Sequence, residues 1–147
     1  MMARITLFLC ELLPSVLVVP YGVFLLKRPP KFNSVLLGYG TRRSTASETA
    51  WYTAQHIFGK YCSITFSVTF ALSFVSGLFA LIRDLGKSAE ITLFMVLCAV
   101  DVIAAIAVTI ATEWRLHRLF NKDGTPRDNL EGSKRSYRKE RRSRMIA

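Results

Sequence analysis

Two acidic residues stand inside stretches of the chain that are otherwise apolar. Glu11 lies in the first apolar run and Asp101 in the third. An ionised carboxylate at the centre of a bilayer costs about 3 kcal/mol, so each acid needs a partner, a proton or contact with water. Counted along helices at 1.5 Å per residue, Glu11 lies about 9 Å and Asp101 about 15 Å deep, so helix tilt can bring the two carboxyl groups together.

This acid pair, Glu11 and Asp101, has two interpretations. The two side chains could relay protons or cations, or they could form one buried polar contact that locks the helices together. We favour the polar contact, because two acids with no His or Lys nearby make a poor pathway. If the carboxyl groups meet, at least one of them holds a proton.

The other side chains capable of chemistry form no recognisable site. His56 and His117 lack a Cys, Ser or carboxylate partner at nucleophile spacing. Cys10, Cys62 and Cys98 are odd in number, match no metal-binding spacing and lie in or beside apolar runs, so we interpret them as packing residues. The sequence therefore predicts no enzyme, no cofactor and no metal site.

The only long polar segment between apolar runs covers residues 33–60, the central loop. Gly38, Tyr39, Gly40 and Thr41 predict a tight turn in which either glycine can take a positive φ. A pair of arginines, Arg42 and Arg43, follows directly.

A short helix is predicted in the second half of the central loop. Thr45 precedes Glu48 by three residues, which is the spacing of a capping box, so the helix is expected to begin near Ala46. One face of this helix carries Trp51, Gln55 and Phe58, with Tyr52 and Ala54 at its edges. An aromatic face beside a membrane span is more typical of an interfacial anchor than of a binding cleft.

The central loop resembles the signature loop of the SdpI family of bacterial integral membrane proteins. That signature has Asn, a Gly-Tyr-Arg-Thr turn, Ser, Trp about ten residues on, a nearby Ala and then Gly-Lys before a span. The matching residues are Asn33, Gly38, Tyr39, Thr41, Ser44, Trp51, Ala54, Gly59 and Lys60. The resemblance extends through one span before the loop and two after it, over residues 5–112.

The resemblance implies an integral membrane protein related to immunity proteins against a secreted peptide toxin. Gly40 stands where the family has Arg, and Arg42 offers a substitute two positions later. Longer family members have additional spans. The binding residues that the resemblance and the adjoining cations imply are Asn33, Gly38, Tyr39, Thr41, Arg42, Arg43, Trp51 and Lys60.

Three apolar runs must position these residues, at 5–26, 61–82 and 91–112. Each is long enough to cross a hydrocarbon core, which takes about 20 helical residues, and none has the polar stripe of a soluble helix. The chain is 51% hydrophobic yet carries a net charge of +10, with its charges segregated from the apolar runs. A cleaved signal peptide is the less favoured interpretation of the first run, because no small-residue cleavage site follows it.

We therefore predict an all-α fold: an integral membrane three-helix bundle over residues 1–120, with a cytoplasmic loop helix and a flexible basic tail over residues 121–147. Two helix faces are expected to pack against neighbouring helices. They are small residues in the second span, at Ser63, Ser67, Ala71, Ser73 and Gly77, and a weakly polar face in the third, at Cys98, Asp101, Ala105, Thr109 and Thr112.

The distribution of cations predicts the orientation. The central loop and its flanks are strongly basic, the short loop after the second span is balanced, and the tail is basic. Because cations favour the cytoplasmic side, we expect the N-terminus outside and both the loop and the tail in the cytoplasm of a cell membrane. The tail should contact anionic lipid headgroups in preference to nucleic acid.

Three functions remain open from the sequence. The favoured one is an SdpI-like protein that protects against, or senses, a membrane-active peptide through the central loop. The second is a structural accessory subunit of a larger membrane complex. The third is a proton-coupled carrier that uses the acid pair.

Overall fold

A computed structural model describes residues 2–32, 34, 37–83 and 86–127. The described residues form three α-helices and no β-strand: α1 covers Met2–Lys27, α2 Glu48–Ile82 and α3 Lys87–Leu119, with a short 3-10 turn at Ser44–Ala46. The predicted all-α class is therefore confirmed. α1 continues without interruption through Pro14 and Pro20.

All three helices are long and apolar enough to cross a membrane, which is consistent with a multi-pass membrane protein. At 1.5 Å per residue, α2 is about 52 Å and α3 about 50 Å long, against a hydrocarbon core of about 30 Å. Both helices therefore extend beyond the core. Large apolar side chains cover the outside of the bundle, with Val68, Val75 and Ile103 each 65% exposed, as expected for a surface facing lipid.

The start of α2 differs from the prediction. The N-cap is Ser47, whose hydroxyl accepts from the Ala50 N–H at 3.1 Å, so α2 begins at Glu48 and not near Ala46. Thr45 is not the cap, because its hydroxyl donates to the Thr41 carbonyl oxygen at 2.9 Å inside the preceding turn. The residues assigned to a loop helix form the first turns of α2, continuous with the second span.

α1 packs against α2 far more extensively than against α3. The two helices approach closely where Gly22 of α1 meets Gly59 of α2. A Cβ built on Gly22 would lie 2.8 Å from the Gly59 carbonyl oxygen, and one on Gly59 would lie 2.7 Å from the Gly22 carbonyl oxygen. Towards the other end, Gly77 of α2 packs against the Phe8 ring.

The predicted small-residue face of α2 is partly wrong. Ser73 and Gly77 are buried, but Ser67 and Ala71 are exposed. The buried positions of α2 follow a different line along the helix and include the larger Cys62 and Phe66. Small side chains on a membrane helix are therefore not all directed at a neighbouring helix.

The predicted polar face of α3 is also partly wrong. Asp101 and Thr112 are buried, but Ala105 and Thr109 are exposed and Cys98 is half-buried. The residues of α3 that turn inward are Leu97, Asp101, Val108, Thr112 and Leu116. Apolar and polar residues share the packed face because lipid imposes no penalty on outward apolar side chains.

The central loop and the end of α3 lie together at one end of the bundle, here called the loop end. Phe120 pairs with Pro126, and the Ser47 hydroxyl donates to the Gly124 carbonyl oxygen at 2.7 Å. Gly124 has φ +77°, and a Cβ there would lie 2.8 Å from the Ala46 backbone. The first residues of the predicted tail, up to Arg127, therefore pack on the loop, whereas residues 128–147 lie outside the described part of the chain.

The opposite end of the bundle, here called the far end, is closed by an ion pair. Arg4 near the start of α1 lies 2.7 Å from the Glu90 carboxylate near the start of α3. Between the two ends, large apolar side chains cover the outer surface of the helices.

Candidate functional site

The turn of the central loop is held by one buried amide. The Tyr39 backbone N–H donates to Gln55 Oε1 at 2.7 Å, and Gln55 Nε2 donates to the Tyr39 carbonyl oxygen at 3.0 Å. Gly38 takes the positive φ of +113°, and a Cβ there would meet Gln55, Trp51 and Pro30, each at 3.0 Å. Only glycine combines this backbone conformation with this packing.

Tyr39 connects the turn to both long helices. Its ring is 7% exposed and stacks on Phe58 of α2 at a centroid distance of 4.6 Å. Its hydroxyl lies 3.2 Å from Glu113 Oε1 and 3.3 Å from the Thr109 carbonyl oxygen of α3, and it can donate to either. Burial and the nearby Glu113 carboxylate raise the pKa of the Tyr39 phenol, which keeps it a neutral donor.

Two further signature residues fix the loop from inside. The Ser44 hydroxyl lies 2.9 Å from the Tyr39 carbonyl oxygen and accepts from the Thr41 N–H at 2.7 Å. Trp51 Nε1 donates to the Pro30 carbonyl oxygen at 2.9 Å, and its ring packs edge to face against Phe32.

Trp51 is therefore a scaffold residue. Its side chain is only 1% exposed. The aromatic character of Trp51 suggests an interfacial anchor or a solvent-facing recognition residue, but a side chain this deeply buried serves as neither. Lys60 is exposed on α2, and Gly59 serves the contact with α1. Asn33 lies outside the described residues.

A cleft of about 500 Å³ opens beside this scaffold, and we call it the loop-side pocket. It is lined by Tyr39, Thr41, Arg42, Arg43, Thr109, Glu113 and Lys122. Arg42 is exposed, whereas Arg43 is half-buried and its Nη1 atom has no hydrogen-bond partner. Three cations against one carboxylate give this pocket an excess of positive charge, which is suited to an anionic group.

A second cavity, here called the lateral groove, lies between the helices next to this pocket. It has a volume of about 200 Å³ and is mostly apolar. Its lining residues are Val18, Tyr21, Phe58, Cys62, Phe66, Ala105, Val108 and Thr109. Because Thr109 lines both cavities, the apolar groove and the basic pocket adjoin.

Comparison of this chain with known protein families, with curated proteins and with solved structures gave no match.

The acid pair lies in a second polar region, deep in the bundle. Glu11 is 6% and Asp101 8% exposed, and the two carboxyl groups interact electrostatically. The buried Ser73 of α2 contributes a hydroxyl to the surroundings of Glu11. Both acids of the pair are therefore buried inside the bundle.

A hydroxyl pair lies beside the acids. Ser15 Oγ of α1 and Thr69 Oγ1 of α2 are 3.0 Å apart and buried, which satisfies both hydroxyls without an ionised group. Across residues 2–127, with the gaps stated above, no three His, Cys, Asp or Glu side chains are gathered so that they could hold a metal ion.

The sequence does not identify some of the residues that form the loop end. In the sequence, Gln55 is distinguished only by sharing a helix face with Trp51 and Phe58, yet its side chain binds the backbone of the turn. Glu113 and Lys122 line the pocket although they follow the third span and have no motif. They reach it because α3 continues to Leu119 and the chain then turns back onto the loop.

Proposed function

We propose that this chain is a multi-pass membrane protein of the SdpI type that protects a cell against a membrane-active peptide, or senses it. The peptide binds where the loop-side pocket meets the lateral groove. The resemblance of the central loop to the SdpI signature supports the class of function. The adjoining cavities support the place of binding.

The observation that carries the proposal is that Thr109 is common to both cavities. A peptide that enters membranes has an apolar body and at least one polar end. The lateral groove offers an apolar surface at the level of the lipid, and the loop-side pocket offers cations at its end. A site of this size with few convergent polar groups is typical of ligand binding.

The two arginines supply the polar half of the site. Guanidinium groups bind carboxylates through paired hydrogen bonds, so a peptide C-terminus or an acidic side chain suits them. The Arg43 side chain lines the pocket and its buried Nη1 atom has no hydrogen-bond partner, and Arg42 is exposed beside it. Arg42 offers a substitute for the family arginine that Gly40 replaces here.

The scaffold gives this site a fixed shape. Gln55, Ser44 and Trp51 bond to the backbone of the loop, so Arg42 and Arg43 follow a turn that is already ordered. A preorganised site loses less conformational entropy when it binds. In the predicted orientation the pocket faces the cytoplasm, and a peptide reaches it through the inner half of the bilayer.

The first experiment measures survival of a susceptible bacterial host that expresses the chain and is challenged with a panel of membrane-active peptides. The wild type should raise survival for at least one peptide, and the double substitution Arg42→Ala with Arg43→Ala should reduce that protection at least tenfold. The matched control is Arg28→Ala with Lys31→Ala, which removes two exposed cations that lie just before the central loop and outside the pocket.

Immunoblots of the membrane fraction must show equal amounts of all variants. Equal loss of protection in the control and in the pocket variant would contradict the proposed site. Absence of protection against every peptide, with the wild type present in the membrane, would contradict the function. Copurification with a stoichiometric partner would then favour an accessory subunit.

A further inference from the structure

Each member of the acid pair has a buried carboxylate oxygen without a hydrogen-bond partner, which could interact with a positive charge. Glu11 and Asp101 are both more than nine-tenths buried, and neither Glu11 Oε1 nor Asp101 Oδ1 has a hydrogen-bond partner. Two such oxygens in an apolar interior are costly when both carboxyl groups are ionised. A positive charge between them would remove that cost.

Groups from all three helices surround the acids. The hydroxyl of Ser73 of α2 is buried in the surroundings of Glu11. Two thiols lie close to the acids in the sequence: Cys10 of α1 directly precedes Glu11, and Cys98 of α3 stands three residues before Asp101. At the far end, Arg4 is held in an ion pair with Glu90.

A small cavity leads from the far end to Glu11. Its volume is about 30 Å³, which is enough for one or two water molecules. Arg4 and Glu90 line it together with Glu11, Gly77 and apolar side chains. Glu11 thus lies between the Arg4–Glu90 ion pair and the deeper Asp101, in the position of an entry point.

We propose that Glu11 and Asp101 form a proton-binding site inside the membrane, which exchanges protons with water at the far end through this cavity. The occupant is a proton because two carboxyl groups fall short of the six or more oxygen ligands that Ca²⁺ and Mg²⁺ take. A proton shared by two carboxyl groups needs no further ligand. This inference stands apart from peptide binding at the loop end.

The test is infrared spectroscopy of the full chain in lipid nanodiscs, titrated with pH. The wild type should show the C=O stretch of a protonated carboxyl group at pH 7, and the band should disappear as the pH is raised. The double variant Glu11→Gln with Asp101→Asn should lose the band, and each single variant should shift its pH midpoint by at least one unit. Glu48→Gln, which changes an exposed acid at the start of α2, should leave it unchanged.

Each outcome decides the proposal. A wild type without the band at pH 7 overturns it, and this requires no variant to fold. A band that persists in the double variant, with its helical circular dichroism intact, assigns the proton elsewhere and also overturns it. Spectra in sodium chloride and in choline chloride should agree, whereas a band that sodium alone removes would make this a sodium site.

Discussion

At the scale of single residues, the buried side chain of Gln55 has a central place at the loop end, because it both donates to and accepts from the backbone of one residue, Tyr39. Gln55 is 0% exposed and satisfies both the N–H and the carbonyl oxygen of Tyr39. Tyr39 in turn contacts α3 through its hydroxyl. Gln55 therefore fixes the backbone of the turn, and Tyr39 in turn fixes the position of the turn against α3.

Replacing Gln55 by Leu should lower the stability of the fold. The variant leaves the Tyr39 N–H buried without an acceptor and removes one of the donors to its carbonyl oxygen, so we expect a loss of about 2–4 kcal/mol. Thermal unfolding in mild detergent, followed by tryptophan fluorescence, measures it. His56→Leu is the control, because His56 is the exposed neighbour on the same helix. An unchanged midpoint for Gln55→Leu would show that the turn is held by other contacts.

The sequence predicts the types of these residues better than their environments. The Gly-Tyr turn was recognised, and Gly38 was one of two candidates for the positive φ. Trp51 was expected to face the membrane interface or a partner, because aromatic composition alone does not distinguish an anchor from a residue buried under a loop. Its hydrogen bond to Pro30 joins residues 21 positions apart, which helical periodicity does not encode.

At the scale of the helices, the contact between α1 and α2 depends on two glycines that allow the backbones to touch. Without a hydrophobic drive between helices in lipid, close packing supplies much of the association energy. Gly22 and Gly59 each leave less than 3.0 Å for a Cβ against the other's carbonyl oxygen. Substitution must therefore push the helices apart.

The variants Gly22→Ala and Gly59→Ala should each destabilise the bundle by about 1–3 kcal/mol, the usual cost of overpacking. Gly40→Ala is the matched control, since a Cβ at Gly40 meets nothing within 4 Å. Resistance to unfolding by SDS in mixed micelles measures the difference. If all three variants unfold at the same SDS fraction, the close contact between α1 and α2 is not where the described structure places it.

The sequence predicts that these helices exist, but it predicts only some of the residues that each helix turns toward its neighbours. Ser73 and Gly77 were correctly placed inside, whereas Ser67 and Ala71 face outward. In water an apolar residue marks the buried side of a helix, but in lipid both sides are apolar and small residues occur on either. The rotation is then set by pairs such as Gly22 with Gly59, which lie on different helices.

At the scale of the whole molecule, the composition and the lengths of the apolar runs are enough to predict three long apolar helices. Three helices long and apolar enough to cross a membrane follow from the three apolar runs, and each predicted span lies inside one observed helix. The packing of residues 121–127 on the loop was not predicted, because it depends on a turn at Gly124 whose partners, Ala46 and Ser47, lie far away in the sequence.

The proposed function requires three membrane crossings that leave the loop end in the cytoplasm and the far end outside. In a variant with Cys10, Cys62 and Cys98 replaced by Ala, single cysteines at Arg42→Cys, Lys122→Cys and Lys87→Cys can be tested with a membrane-impermeant maleimide on intact cells. All three positions are exposed.

We predict that Lys87→Cys reacts in intact cells, whereas Arg42→Cys and Lys122→Cys react only after the membrane is permeabilised. Labelling of positions 42 and 122 from opposite sides, or of 42 and 87 from the same side, would contradict the account.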